Sequence, residues 1–217
     1  ERRHLVWEAL NSVEPIDLET VVLAYNMMES AFNVVWKENF INWTLDQMMR
    51  VILVGLDRTL PDDVMAKLID DIGRMEVDIS PDPIEGVAEA LADLSTRYKL
   101  SIVSDSLATP GVGLRKILEK YDLKKYFDGF AFSDEVGHSK PHRSMFDSAA
   151  EQLGVEIEEI VHIGDRDHND IKGPHAIGAK GVLFTVSRPD DRDTTTADAI
   201  CDRYSDLPGI IDKLAAS

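Results

Sequence analysis

Apolar side chains recur at helical spacing throughout the first 78 residues, and no alternating strand pattern interrupts them. A capping-box signature, Thr44 to Gln47, marks the start of one helix, and Pro61 followed by two aspartates marks the next. The predicted helices cover residues 5–13, residues 17–37, a segment beginning at residue 45 and a segment beginning at residue 62. Residues 1–78 are therefore predicted to form an all-helical module.

The pattern changes after the proline-containing stretch at residues 79–83, which is typical of a domain junction. From there, short apolar runs alternate with helical segments. The predicted strands are residues 99–104, 130–132, 160–163 and 182–186. The predicted helices are residues 84–94, 113–121, 145–153, 170–177 and 207–214, with a polar loop at 187–197. Strands that alternate with helices favour parallel βαβ units, so residues 79–217 are predicted to form an α/β module with a doubly wound parallel sheet.

Composition narrows the possible partners. The chain has 217 residues, is 44% hydrophobic and carries a net charge of −17, so it can bury a core while repelling nucleic acid and anionic membranes. Cys201 is the only cysteine, which excludes an internal disulfide and a cysteine-cluster metal site. Residues 1–4 lead into an amphipathic segment, and no apolar run is long enough to cross a membrane. We expect a cytoplasmic protein, as a monomer or a homodimer.

Polar side chains follow three of the predicted strands. Ser104 and Asp105 follow the first, Lys140 lies in the segment after the second, and Asp165 and Asp170 follow the third. Because the carboxyl ends of parallel strands share one edge of the sheet, we expect these groups to converge there. A hydroxyl and an ammonium can bind phosphate, and paired carboxylates can hold Mg²⁺.

The order of these motifs resembles the haloacid dehalogenase superfamily of hydrolases, on its phosphatase side. Residues 102–104 (Ile-Val-Ser) match its second motif, residues 137–141 around Lys140 its third, and Gly164-Asp165 with Asp170 its fourth. The resemblance implies a Rossmann-type core with a small helical cap, here residues 1–78. It also implies Mg²⁺-dependent hydrolysis of a small phosphorylated metabolite through an aspartyl-phosphate.

The resemblance also implies roles for individual residues. Ser104 and Lys140 would be catalytic and, with Asp105, would bind the substrate, while Asp165 would ligate Mg²⁺ and Asp170 would do so directly or through water. Relatives often have asparagine at the position of Asp105, so the role of that residue stays open. Candidate substrate contacts in the cap are also proposed, although a place in the core or on a solvated face is an alternative for each: Arg2, Arg3, Trp36, Trp43 and Arg50.

One motif of the family is missing. Its first motif is a strand ending in Asp-x-Asp-x-Thr, which supplies the nucleophile and the general acid. The most similar string, residues 51–60, has Gly55 at the nucleophile position, and its spacing predicts a helix followed by a loop. We therefore expect the natural gene to encode an apolar strand ending in Asp-x-Asp, or a degenerate version of it, shortly upstream of Glu1.

Two alternatives to a phosphatase stay open. The chain could be a catalytically inactive relative that binds a phosphorylated ligand or a protein partner, because the nucleophile motif is missing. A 2-haloacid dehalogenase is less favoured, since that chemistry needs no metal and dehalogenases typically lack the Gly-Asp-x-x-x-x-Asp cluster formed here by Gly164, Asp165 and Asp170. His162, within an apolar strand, is predicted to be an ordinary core histidine with a satisfied hydrogen bond.

Overall fold

The computed structural model describes residues 1–216 and divides the chain into two compact units. The first unit combines residues 1–81 with 106–117, and the second combines residues 82–105 with those from 118 onward. The segment 106–117 lies within the range that the sequence assigned to the α/β module. It is held in the first unit by a hydrogen bond of 2.6 Å from the Thr109 hydroxyl to Glu76.

The first unit contains the four predicted helices. They are α1 (Arg2–Val13), α2 (Leu18–Asn39), α3 (Leu45–Gly55) and α4 (Asp62–Asp78). Their apolar faces form one core, in which Val21 and Ile72 are fully buried. Asp17 caps α2 by accepting a hydrogen bond of 2.8 Å from the Thr20 amide.

The stretch that most resembles the missing motif is helical, as predicted. The Thr44 hydroxyl accepts from the Gln47 amide at 3.3 Å, and the Gln47 side chain accepts from the Thr44 amide at 2.9 Å, which completes the capping box. In α3, Ile52 faces the core while Val54 is 81% exposed, the one-sided burial of a surface helix. Gly55 therefore ends a helix and does not follow a strand.

The second unit has the predicted alternation of helices and strands. Its strands are β1 (Ser101–Ser104), β2 (Gly129–Phe132), β3 (Val161–Gly164), β4 (Lys180–Phe184) and β5 (Ala199–Cys201). Its helices are α5 (Val87–Leu94), the end of α6 (Gly111–Lys120), α7 (Ser133–Val136), α8 (Arg143–Leu153), α9 (Gly173–Ala176) and α10 (Leu207–Ala215). A π-helix (Asp167–Lys172) lies between β3 and α9. The predicted fold class, an α/β core with parallel sheets and a helical module, is confirmed.

The strands form two parallel ladders. One joins β1 to β2, and the other has the order β3-β4-β5. Within residues 1–216, no ladder joins β1 to β3, so each of these strands is paired along one edge. Their apolar residues are only partly buried, whereas Val182 and Leu183 of β4 are fully buried.

Three elements differ from the sequence prediction. The single turn of α7 was not predicted. β5 was not predicted, because three residues are too few to show a periodic pattern. The predicted helix at 170–177 is instead the π-helix followed by the single turn of α9. Among residues 1–216, none of the helices combines the length and the apolar composition that a membrane crossing needs.

Candidate active site

The candidate site lies entirely in the second unit, at the carboxyl ends of β1 and β3. Ser104 is the last residue of β1, and Asp165 directly follows the last residue of β3. Although β1 and β3 belong to different ladders, hydrogen bonds from the Lys140 amide and the Asn169 side chain to Asp105 bring their ends together. The carboxyl ends of parallel strands are where open α/β sheets bind ligands. The Ser104 hydroxyl has no hydrogen-bond partner within the part of the chain that the structure describes.

An ion pair between Lys140 and Asp170 joins the segment that follows β2 to the segment that follows β3. The Lys140 ammonium lies 2.7 Å from Oδ1 of Asp170, and the two side chains are 12% and 4% exposed. Lys140 follows α7 in sequence, and Asp170 lies in the π-helix. The two residues are 30 positions apart in sequence, so the fold, and not local chain geometry, brings them together.

Two further groups donate hydrogen bonds to Asp170. Nε2 of His162 lies 3.0 Å from Oδ1, and the Arg166 amide donates to Oδ2 at 3.0 Å. The backbone must pass very close to this carboxylate: a Cβ on Gly164 would lie 2.2 Å from the Asp170 Cγ. Glycine is therefore required at position 164 for the carboxylate to occupy its place.

The environment of Asp170 keeps its carboxylate ionised. Burial alone would raise its pKa, but the hydrogen bond from His162 and the charge of Lys140 outweigh burial and hold the pKa well below its ordinary value. Asp170 is therefore negatively charged throughout the neutral range.

Asp105 connects the end of β1 to the other two motifs. One carboxylate oxygen accepts from the Lys140 backbone amide at 2.8 Å, and the other accepts from the Asn169 side chain at 3.4 Å. Burial raises the pKa of Asp105, and the Lys140 amide and ammonium only partly counteract it. Both carboxylate oxygens of Asp105 therefore accept hydrogen bonds from the protein. These bonds connect the end of β1 to the segments that carry Lys140 and Asp170.

The polar loop at residues 187–197 fastens the segment that carries Asp165. The Ser187 hydroxyl donates to Oδ2 of Asp165 at 3.2 Å, and the Thr195 hydroxyl donates to Oδ1 of Asp167 at 2.6 Å. The Asp167 amide donates to Asp191 at 3.0 Å. Asp167 also pairs with Lys172 at 2.8 Å, so its own charge is compensated.

The donor set suits Mg²⁺. Among the described residues, no three His, Cys, Asp or Glu side chains are placed to hold a metal ion together. Mg²⁺ is commonly held by one or two carboxylates, with water and substrate phosphate completing its shell. Asp165 and Asp170 provide two carboxylates in one segment. Arg166, the next residue after Asp165, donates a hydrogen bond from its backbone amide to Asp170. These residues would hold the ion.

Sequence reasoning missed several contributors to this site. His162 was predicted to be a satisfied core histidine; it is buried and hydrogen-bonded, but its partner is Asp170. Its position in an apolar strand was the available signal, because a buried polar side chain needs a partner. Nothing in the sequence indicated that residues of the 187–197 loop bind Asp165 and Asp167, because these hydrogen bonds join residues that are 22 and 28 positions apart.

The five proposed cap contacts lie in the first unit and have structural partners there. Arg2 pairs with Glu76, Arg3 with Glu29, and Arg50 with Asp46. Trp36 and Trp43 pack against the core of the helical unit. These contacts agree with the alternative to substrate binding, in which each residue lies in the core or on a solvated face of the helical unit.

Replacing Asp105 by asparagine should stabilise the protein at neutral pH. Folding raises the pKa of Asp105, so the folded state binds this proton more readily, and stability is lost as pH rises from the unfolded pKa, about 3.9, through the folded value. Asp105→Asn removes this loss while its side-chain oxygen can still accept from the Lys140 amide. Urea unfolding at pH 7 should show a higher free energy of unfolding than wild type, and the difference should shrink towards pH 4.

The exposed loop residue Asp193 provides the control for this measurement, because Asp193→Asn makes the same change of net charge on the surface and should leave the free energy of unfolding at pH 7 within about 0.5 kcal/mol of wild type. An Asp105→Asn variant that is less stable than wild type at pH 7 would show that losing the second acceptor, which faces the Asn169 side-chain NH2, outweighs the relief of the buried charge.

The amino-acid sequence matches that of known hydrolases. The model of the haloacid dehalogenase-like hydrolase family matches residues 18–184. A glyceraldehyde 3-phosphate phosphatase from Methanopyrus kandleri is 32% identical over 111 residues, covering 51% of this chain and 46% of the relative. A pyrophosphatase PpaX from Bacillus cereus is 32% identical over 137 residues, covering 61% of each chain. The chain spans about half the length of the curated relatives it matches.

Solved structures agree on the fold. A HAD phosphatase from Thermococcus onnurineus superimposes with a TM-score of 0.61 at 24% identity, covering 97% of this chain and 87% of the other. A 2-haloacid dehalogenase from Pseudomonas syringae gives a TM-score of 0.62 at 16% identity, covering 99% and 92%. The family match extends over most of the sequence and includes the three strand-end motifs. The chain therefore belongs to the haloacid dehalogenase-like hydrolase family.

Proposed function

We propose that this protein is a Mg²⁺-dependent phosphomonoester hydrolase that acts on a small phosphorylated metabolite. The observation that carries the proposal is the buried ion pair between Lys140 and Asp170, placed one turn from Asp165 at the end of β3. An ammonium beside two carboxylates can receive phosphate and Mg²⁺ together. The relatives named as glyceraldehyde 3-phosphate phosphatase and pyrophosphatase PpaX support a phosphorylated substrate.

The roles of the chain's own residues follow from their contacts. The Ser104 hydroxyl, at the end of β1, would donate to a phosphate oxygen. Lys140 uses one of its three N–H donors on Asp170, so two remain for the phosphoryl group. Asp165 and Asp170 would hold Mg²⁺, which when bound would offset phosphate charge and polarise the phosphorus.

The nucleophile in this proposal is an aspartate on a strand outside the 217 residues. It would attack phosphorus to give an aspartyl-phosphate, which water then hydrolyses. The partly buried β1 and β3, each with one edge unpaired within residues 1–216, are consistent with a strand between them. The cytoplasmic location and the monomeric or dimeric state stay predictions.

A phosphate-release screen tests the proposal. The chain extended by the residues encoded directly upstream of Glu1 should release phosphate from small phosphate esters, and EDTA should stop the reaction. A matched variant with the upstream aspartate replaced by asparagine should form no hydroxylamine-labile phosphoenzyme. Turnover that persists in EDTA, or none in the extended chain, would contradict the proposal.

The second candidate function is a catalytically inactive relative that binds a phosphorylated ligand. It is favoured by the helical structure of residues 45–55, which leaves no nucleophile strand among residues 1–216. Tight binding of a phosphate ester without turnover, in a chain that includes its upstream residues, would support this candidate instead.

Replacing Asp165 by asparagine should remove measurable Mg²⁺ binding with little loss of stability. The variant loses a hard anionic ligand, while removing one of several clustered carboxylates relieves their mutual repulsion. Titration calorimetry with MgCl₂ measures the loss. Asp147→Asn, which alters a surface ion pair with Arg143, is the control and should bind Mg²⁺ normally. Undiminished affinity in Asp165→Asn would remove Asp165 from the site.

Replacing Lys140 by methionine should lower kcat far more than it lowers stability. The ammonium is proposed to balance charge that develops in the transition state, and losing one such partner costs about 2–4 kcal/mol of barrier stabilisation. Steady-state kinetics on the extended chain measures this loss. Lys99→Met is the control, because it removes an ammonium that donates a hydrogen bond of 2.6 Å to the backbone carbonyl of Leu153. A Lys140→Met rate within twofold of wild type would contradict the role.

A further inference from the structure

His162 lies in β3 with its ring packed against Phe146. The residue is 8% exposed, and its backbone is in register with Gly181 of β4. The ring of Phe146, which is fully buried, meets the imidazole at 89° with a centroid distance of 5.2 Å. Edge-to-face packing of this kind restricts rotation of the imidazole, so its nitrogens have fixed directions.

The hydrogen bond to Asp170 determines which nitrogen carries the proton. Nε2 lies 3.0 Å from Oδ1 of Asp170, and the same oxygen forms an ion pair with the Lys140 ammonium at 2.7 Å. A carboxylate oxygen in an ion pair accepts hydrogen bonds, so Nε2 must be the donor. The imidazole therefore carries a proton on Nε2.

The three donors around Asp170 leave one acceptor position of its carboxylate unoccupied by the described residues. Oδ1 accepts from His162 and from Lys140, and Oδ2 accepts from the Arg166 amide. A carboxylate oxygen has about two acceptor positions, so Oδ1 is saturated and Oδ2 keeps one position. His162 thus fixes the rotation of the carboxylate and decides which oxygen can meet a cation or a water molecule.

A neutral donor suits this position better than a charged one. Lys140 already compensates the charge of Asp170, and a second buried cation would oppose a divalent ion at the same carboxylate. Imidazole supplies a directed N–H without adding charge. We propose that His162 is a positioning residue that holds the Asp170 carboxylate, and through it the Lys140 ammonium, in place for phosphate and Mg²⁺. This inference rests on the proposed function.

The tautomer can be measured without any activity. Long-range proton–nitrogen NMR correlation of the 217-residue chain at neutral pH, without metal, should show His162 protonated at Nε2. His162→Phe identifies the signals that belong to this ring, and His162→Gln provides a second assignment should that variant not fold. An imidazole with a bare Nε2 would overturn the inference, because it could not donate to Asp170.

Substitutions then test the positioning role. The terminal amide of glutamine can place an N–H near the position of Nε2, whereas that of asparagine is too short. Titration calorimetry with MgCl₂ should therefore give His162→Gln an affinity within about threefold of wild type and His162→Asn a loss of about 10- to 100-fold, the usual effect of removing a partner of a metal ligand. Thermal unfolding of both variants shows whether the fold is intact.

His175 offers a matched control. It forms a similar pair with Asp198, with Nε2 at 2.8 Å from Oδ2, on α9 of the same unit. His175→Gln and His175→Asn should both bind Mg²⁺ as wild type does. Wild-type affinity in a folded His162→Asn would overturn the positioning role. A wild-type chain that binds no Mg²⁺ would count against the proposed function, while the Nε2 proton would still decide whether His162 holds Asp170.

Discussion

The buried ion pair between Lys140 and Asp170 is the interaction on which the geometry of the site depends. Moving two charges out of water costs several kcal/mol for each ion, so such a pair persists only when further hydrogen bonds satisfy it. His162 and the Arg166 amide supply those bonds. Gly164 makes the arrangement possible, since any side chain there would overlap the Asp170 carboxylate. The motif Gly164-Asp165 followed by Asp170 thus has a steric reason as well as a chemical one.

Two carboxylates of the site are paired with lysines, although the chain as a whole is strongly acidic. A net charge of −17 opposes the approach of a phosphorylated substrate at long range. Locally, the carboxylates are compensated one by one: Asp170 by Lys140, and Asp167 by Lys172. Asp165 accepts a hydrogen bond from the neutral Ser187 hydroxyl and forms no ion pair among the described residues. A bound divalent ion would therefore dominate the local field.

Local patterns predicted the elements of this fold well, and tertiary contacts explain what they missed. The capping box at Thr44 placed α3 correctly because its hydrogen bonds link neighbours in sequence. Parallel strands implied that Ser104, Lys140 and Asp170 share an edge, and Lys140 and Asp170 indeed meet. The role of Asp105 could not be predicted, because its partners are 35 and 64 residues away. The assignment of residues 106–117 to the helical unit likewise depends on distant contacts such as Thr109 with Glu76.

The loop at residues 187–197 has a consequence for how the site moves. Three hydrogen bonds, at 2.6, 3.0 and 3.2 Å, attach it to Asp165 and Asp167. Exposed loops open at low free energy, and this one cannot open without releasing both aspartates. A ligand that binds only the closed arrangement must then lower the population of the open loop, by linkage. Occupancy of the site is thereby coupled to local unfolding more than 20 residues further along the chain, so protease cleavage or amide exchange in this loop would report what the aspartates have bound.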